Sequence, residues 1–263
     1  MNGSLRVTFL GTCACNYSRY QHRFSEDLRD RFDRDARRAS ALWVEGGLMI
    51  DCGPHAPGAL AVAGIPASAV TDLLLTHLHR DHFCPEAVET LALAKETPLR
   101  LWVSAGATLP PMKNVTVIPM EKFRPYVTES GWTVTGVSAN HDPDAFPQHL
   151  LLEREGKRML YATDGAWFMT ETYYYLKGAP LDLLILDATC GEGEGEYRIA
   201  EHNTLPMIRL MLPSLRTVEI IDGHTEIYLT HLAPSLHRSN EETEMLAEAM
   251  GCQVAYDGTE LSI

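Results

Sequence analysis

His77-Leu78-His79-Arg80-Asp81-His82 packs four metal-ligating side chains into six residues, directly after the apolar run Asp72-Leu73-Leu74-Leu75-Thr76. A short continuous apolar run of this kind reads as a buried strand. The residues that follow, Pro85 to Lys95, open with Pro and Glu and continue with helix formers, so they read as a helix. The six residues therefore lie between a strand end and a helix start. In extended backbone His77 and His79 leave on one face and can grip one ion, while Asp81 and His82 follow where the chain turns and aim at a neighbouring point. The competing use, a polar helix cap, is outweighed by the density of ligand-type groups.

Working outward, three further apolar runs deliver a His or Asp at their ends: Val137-Ser138-Ala139-Asn140-His141, Leu160-Tyr161-Ala162-Thr163-Asp164-Gly165 and Ile227-Tyr228-Leu229-Thr230-His231. A strand end holds a ligand rigidly at a shared sheet edge. Singly, each reads as a cap or turn residue; together with the signature they read as the rest of a metal site.

The chain opens with sheet, Arg6 to Leu10, followed by a hairpin of Ala41–Val44 and Leu48–Ile50 around Glu45-Gly46-Gly47. Strand-like runs at Leu101–Val103, Val115–Ile118, Trp132–Val137, Leu150–Glu153 and Arg158–Tyr161 read as a second, antiparallel sheet. Leu183–Leu186 and Ile227–Thr230 read as strands, and Leu205–Leu212 and Glu241–Met250 as helices. Val254–Tyr256 and Glu260–Ile263 read as a closing hairpin around Asp257-Gly258. Two sheets covered by helices, an α/β class, follow. At 263 residues with 45% apolar and 22% charged residues, and with no repeat or dividing linker, one domain spanning residues 1–263 is expected.

No run of eighteen uncharged apolar residues exists, and Met1-Asn2-Gly3-Ser4-Leu5-Arg6 lacks the pattern of a signal peptide, so a cytoplasmic protein with no membrane partner is expected. Cys13, Cys15, Cys52, Cys84, Cys190 and Cys252 are scattered and fit reduced thiols better than a disulfide framework. The formal charge of −13 disfavours an extended nucleic acid and favours a small substrate. Between residues 18 and 38, seven arginines alternate with five acids, a pattern of a solvated helix or loop. Arg37 and Arg38 at its end are candidates for holding a substrate phosphate through a guanidinium fork; ion pairs with the neighbouring acids are the other reading. His22, His55, His149, His224 and His237 have no motif to recruit them, with His55, close behind Asp51-Cys52-Gly53-Pro54, the one nearest to a site motif.

In Gly11-Thr12, Leu48-Met49-Ile50-Asp51-Cys52-Gly53, the signature, and then His141, Asp164 and His231 in order, the chain resembles the metallo-β-lactamase superfamily nearly end to end. That resemblance implies the four-layer αββα fold. It also implies a first metal on His77, His79 and His141, a second on Asp81, His82 and His231, with Asp164 bridging and Asp51 orienting the metal-binding loop. Within the superfamily, Thr230-His231-Leu232, Ala255-Tyr256-Asp257-Gly258-Thr259-Glu260 and His202-Asn203-Thr204 are similar to the phosphoribosyl cyclic phosphodiesterase (PhnP-like) family. By that likeness His202 approaches the substrate phosphate and acts in proton transfer; a surface histidine near a helix cap is its alternative. The cysteine-rich insertion of that enzyme, which holds a structural zinc, is not reproduced, and Leu232-Ala233-Pro234-Ser235-Leu236-His237 departs from its polar pocket wall.

The expected activity is a binuclear metal-dependent hydrolase, with Zn²⁺ or Mn²⁺ as the two ions and a hydroxide shared between them as nucleophile on a small or cyclic phosphate diester. Asp81 and His202 are the expected catalytic residues. A lactonase or thioesterase on the same scaffold, a ribonuclease Z-like nuclease and a non-catalytic binding protein are the alternatives. Dimers are common among such hydrolases, so a homodimer is left open, although no run of residues identifies an interface.

Overall fold

A computed structural model describes residues 6–14, 31–193 and 196–263. Cys15, His22 and residues 18–30 of the arginine-rich stretch lie outside the described residues. One seven-stranded sheet runs in the order β14 (Glu260–Ser262), β1 (Arg6–Gly11), β2 (Ala41–Val44), β3 (Leu48–Ile50), β4 (Asp72–Leu74), β5 (Leu99–Ser104), β6 (Val115–Met120). The other runs β13 (Gln253–Val254), β12 (Glu226–Thr230), β11 (Leu183–Asp187), β10 (Lys157–Ala162), β9 (Gln148–Arg154), β8 (Thr133–Ser138), β7 (Pro125–Val127).

The near-continuous apolar runs are explained by burial on both faces. In β4, Leu73 joins the apolar cluster on the outer face of its sheet and Leu74 joins the cluster between the sheets. In β11, Leu184 and Leu186 face outward while Leu183 and Ile185 face the other sheet. Successive side chains leave a strand on opposite faces, so a strand sandwiched between two layers must be apolar at every position. Helices α1 (Ala56–Val62) and α2 (Pro85–Leu93) cover the first sheet through Ala59, Leu60, Val88 and Leu91. Helices α3 (Thr170–Leu176), α4 (Leu205–Thr217) and α5 (Asn240–Glu248) cover the second through Leu176, Ile208, Leu212 and Ala247. Phe9, Leu42, Ile50 and Trp102 meet Trp132, Leu150, Tyr161 and Ile185 in the middle. Three apolar interfaces thus separate four layers, the expected αββα arrangement.

Two expectations are corrected, and two helices went unread in the sequence. The runs at Leu101–Val103 and Val115–Ile118 belong to the first sheet as β5 and β6, paired in parallel, and the second sheet is antiparallel only from β7 to β10, becoming parallel from β10 to β13. Strand patterns carry no information about which sheet a strand joins. The C-terminal segments do not form a hairpin either: β13 pairs with β12 in one sheet and β14 with β1 in the other. The Asp257-Gly258 turn carries the chain across because the Gly258 N–H donates to the Phe9 carbonyl and the buried Asp257 carboxylate accepts from the Thr12 hydroxyl (2.8 Å) and the Arg38 N–H (2.7 Å). Finally, α1 and α3 carry weak local signals. Ala56-Pro57-Gly58 reads as a turn, and the N-cap of α3, Met169, offers no side-chain cap.

Among the described residues, no helix is long and apolar enough to cross a membrane.

Candidate metal centre

The ligand-rich turn leaves the end of β4 and is held from below by Asp51, which follows β3. The Asp51 carboxylate accepts from the Thr76 N–H (2.8 Å) and hydroxyl (2.9 Å), and its Oδ2 lies 2.7 Å from His82 Nδ1. Close backbone packing completes the support: a Cβ at Gly53 would lie 1.9 Å from the Asp81 carbonyl oxygen, so only glycine fits there.

Three strand ends bring the distant ligands to this turn, and two clusters result. His77, His79 and His141 converge on one side, with His79 Nδ1 3.1 Å from His141 Nε2. Asp81, His82 and His231 converge on the other, with the Nε2 atoms of the two histidines 3.2 Å apart. Asp164 stands between them. Its Oδ1 is 3.8 Å from both His77 Nε2 and His141 Nε2, and its Oδ2 is 3.1 Å from both His82 Nε2 and His231 Nε2. All seven residues expected to bind metal are therefore brought together. Asp51, Asp164 and His231 also adopt left-handed backbone, with φ of 61°, 51° and 57°. Such conformations cost energy in non-glycine residues and persist where the surroundings enforce them.

Each histidine of the two clusters is oriented through its second nitrogen. His77 Nδ1 lies 3.0 Å from the Thr76 hydroxyl, His79 Nε2 3.2 Å from Asp142, and His141 Nδ1 3.3 Å from the Glu201 carbonyl oxygen. His82 Nδ1 meets Asp51, and His231 Nδ1 meets the Thr189 hydroxyl at 2.7 Å. One nitrogen held from outside leaves the other to point at the centre, which is how metal-binding imidazoles are fixed in tautomer and direction.

The donor set fits divalent cations. Buried His77 Nε2 and Asp164 Oδ2 lack hydrogen-bond partners, a costly condition unless something else meets them. Burial opposes charge on His231, yet Asp164, Asp187 and Asp81 raise it to about 10, and Asp164, Asp81 and Asp51 likewise raise His82 well above the ordinary value. The carboxylates thus demand positive charge at a point where two facing nitrogens leave no room for two protons. A cation coordinated by both nitrogens satisfies that demand.

His202, just ahead of α4, sits beside the clusters. Its ring stacks on that of His231 at 5.5 Å and lies 5.0 Å from that of His141. Its Nδ1 is 2.9 Å from Asp187 Oδ2, and Asp187 also accepts the N–H groups of Asp164, Thr189 and Asn203. Burial opposes protonation of His202, but Asp187 outweighs it and raises the imidazole above its ordinary value. Asp187 was not among the expected site residues. It ends the apolar run Leu183–Leu186, so the strand-end signal that picked out His141, Asp164 and His231 applies to it equally. Asp142, Thr189 and Glu201 have no comparable signal.

Arg37 and Arg38 do not join either cluster. Arg37 Nη1 donates to the Thr12 hydroxyl (2.7 Å) and the Ala255 carbonyl (2.5 Å), with the guanidinium lying over the Tyr256 ring. Arg38 pairs with Asp257 at 3.3 Å and donates to the Arg31 carbonyl. Both side chains are buried and engaged in the clamp that ties the C-terminal crossing to β1. His55 Nδ1 accepts the Ala39 N–H, His237 Nε2 donates to the Ala188 carbonyl and His224 is exposed.

His149 lies beneath the centre, fully buried, with neither ring nitrogen hydrogen-bonded and its Nε2 2.3 Å from where a Cβ of Gly165 would sit. Burial pushes its pKa down to about 4 from 6.5. The folded state therefore excludes a proton that the unfolded chain binds below about pH 6.5. The resulting stability is fully present above pH 6.5 and is lost as pH falls toward 4, by about 3 kcal/mol at the limit. Urea denaturation at pH 7 and pH 5 is expected to show a smaller loss for His149→Leu than for the wild type; equal losses would exclude His149 as the source.

Comparison with known proteins agrees with this geometry. The family model described as anti-Pycsar protein Apyc1 matches residues 39–105, the stretch that holds the signature. Ribonuclease Z of Mycobacterium sp. (strain KMS) is 50% identical over 52 residues, a match that takes in 18% of this chain and 18% of that protein. The metallo-β-lactamase fold protein YhfI from Bacillus subtilis superposes over 99% of this chain and 100% of its own, with 17% identity and a TM-score of 0.75. A diphosphatase from the PhnP family superposes over 99% and 97%, with 18% identity and a TM-score of 0.71. With these two sheets, their helical layers and the ligand clusters at one sheet edge, the chain is a metallo-β-lactamase-fold protein, similar in structure to a PhnP-family diphosphatase.

Proposed function

We propose that the protein is a metal-dependent hydrolase of small, including cyclic, phosphate diesters, with His77, His79 and His141 holding one divalent ion, Asp81, His82 and His231 a second, and Asp164 both. Histidine and carboxylate ligation suits Zn²⁺ or Mn²⁺. Two such ions supply Lewis acidity and an activated water at neutral pH. The observation that carries the choice of bond is the His202–Asp187 pair. Because Asp187 occupies Nδ1, the His202 proton available to substrate is on Nε2, and Asp187 raises the imidazole above its ordinary pKa, which favours the form that carries that proton. As the phosphorus–oxygen ester bond breaks, Nε2 gives its proton to the departing alkoxide, and Asp187 stabilises the imidazole in the required tautomer. The ribonuclease Z likeness supports a phosphodiester bond, while a formal charge of −13 favours a small substrate over a long polyanion. The five described cysteines are free thiols, which supports a reducing, cytoplasmic setting.

Metal-loaded protein is expected to release p-nitrophenolate from bis(p-nitrophenyl) phosphate, and to lose that activity to a chelator. Hydrolysis of lactones or thioesters with no phosphodiester turnover, at a full metal complement, would overturn this reading.

A further inference from the structure

The two halves of the centre are chemically unequal. Around Asp81, His82 and His231, Asp81 itself faces the ligand nitrogens, Asp51 backs His82 at 2.7 Å, and Asp187 lies 3.3 Å from His231 Nδ1. Asp51 and Asp187 are wholly buried, and the side chains of His82 and His231 are 0% and 3% exposed. Around His77, His79 and His141, the ligands are all imidazoles apart from the shared Asp164. Their outer partners are the Thr76 hydroxyl, the Glu201 carbonyl and one carboxylate, Asp142. Asp142 and His79 are 37% and 41% exposed in their side chains, and Glu201, whose carboxylate comes within 4.8 Å of a His141 ring nitrogen, is exposed, so water screens the charges this half has to itself. Asp51 reaches His77 only through the Thr76 hydroxyl.

We propose that the two metal positions fill in a fixed order, the Asp81–His82–His231 position first and tightly, the His77–His79–His141 position second and exchangeably. The proposal rests on the binuclear reading above. A divalent cation gains most where unscreened carboxylates are concentrated and ligands are already immobilised by buried partners. The His77–His79–His141 position has one solvent-facing imidazole, and its own carboxylates, Asp142 and Glu201, are screened, so its ion exchanges with the medium through His79. Activity that needs both ions then tracks free divalent metal over the concentration range of the weaker step.

Zinc titration of the metal-free full-length chain against a chromogenic chelator tests this. The expected curve has two steps separated by at least about tenfold in affinity and ends at two ions per chain. Anomalous diffraction from crystals prepared with one equivalent of zinc is expected to place it among Asp81, His82 and His231. Asp142→Asn, at a half-buried position, is expected to weaken only the second step, by about 10–100-fold. One equivalent of zinc on His77, His79 and His141, equal filling of both positions, or an Asp142→Asn effect on the tight step would each overturn the order. A plateau below two ions would instead overturn the binuclear reading, and the order with it.

Discussion

Asp81→Ala is expected to bind one ion fewer per chain and to lower kcat/KM for a phosphodiester by about 10³-fold or more, the equivalent of about 4 kcal/mol of transition-state stabilisation. The loss should be this large because Asp81 is the one carboxylate that belongs to a single position: its Oδ2 lies 3.6 Å from His82 Nε2 and 3.9 Å from His231 Nε2. Without it the facing nitrogens keep Asp164 as their only inward carboxylate. Asp81 lies on the turn after β4 rather than in an apolar layer, so the far-ultraviolet circular dichroism of the variant should match the wild type. Metal analysis and initial rates on the same preparation check the prediction; unchanged metal content with full activity would remove Asp81 from the site.

The second large effect is expected at His202. His202→Ala should keep two ions per chain, because His202 touches the clusters through ring contacts and Asp187 rather than through the convergent nitrogens. It should lower kcat by about 10²–10⁴-fold on a diester with an alkyl leaving group. The loss should be much smaller with p-nitrophenolate, which departs without needing a proton. The pH profile carries a further sign. A raised imidazole pKa lets the acid form survive to higher pH, so the alkaline limb of activity should lie above 6.5, and Asp187→Asn should move it downward. Equal losses on both leaving groups would point to a structural role for His202.

Why the clustered histidines and aspartates were legible and other features were not follows from how locally each is encoded. His77, His79, Asp81 and His82 declare themselves by spacing, and His141, Asp164 and His231 by standing at the ends of apolar strands, which is where the sheets share an edge. Asp187 carries the same signal, at the end of Leu183–Leu186. Asp142 and Glu201 do not, since they act through the position of their loops, one by a carboxylate on His79 and the other by a backbone carbonyl on His141. Sheet membership was illegible for a similar reason. Nothing in Val115–Ile118 states that it pairs in parallel beside Leu99–Ser104, and nothing local in Asp257-Gly258 reveals that Thr12 and Arg38 draw the turn across to the other sheet. Arg37 and Arg38 were ambiguous because a guanidinium suits a phosphate and a buried clamp equally well, and only the fold shows the clamp that they form.

The central claim is that seven side chains from four separate segments hold two ions. Metal analysis of the protein, loaded with Zn²⁺ or Mn²⁺ and dialysed against buffer containing a slight excess of the same ion, tests it most directly. Two ions per chain, falling in Asp81→Ala, is the predicted result; one ion or fewer per chain in the wild type would contradict the account.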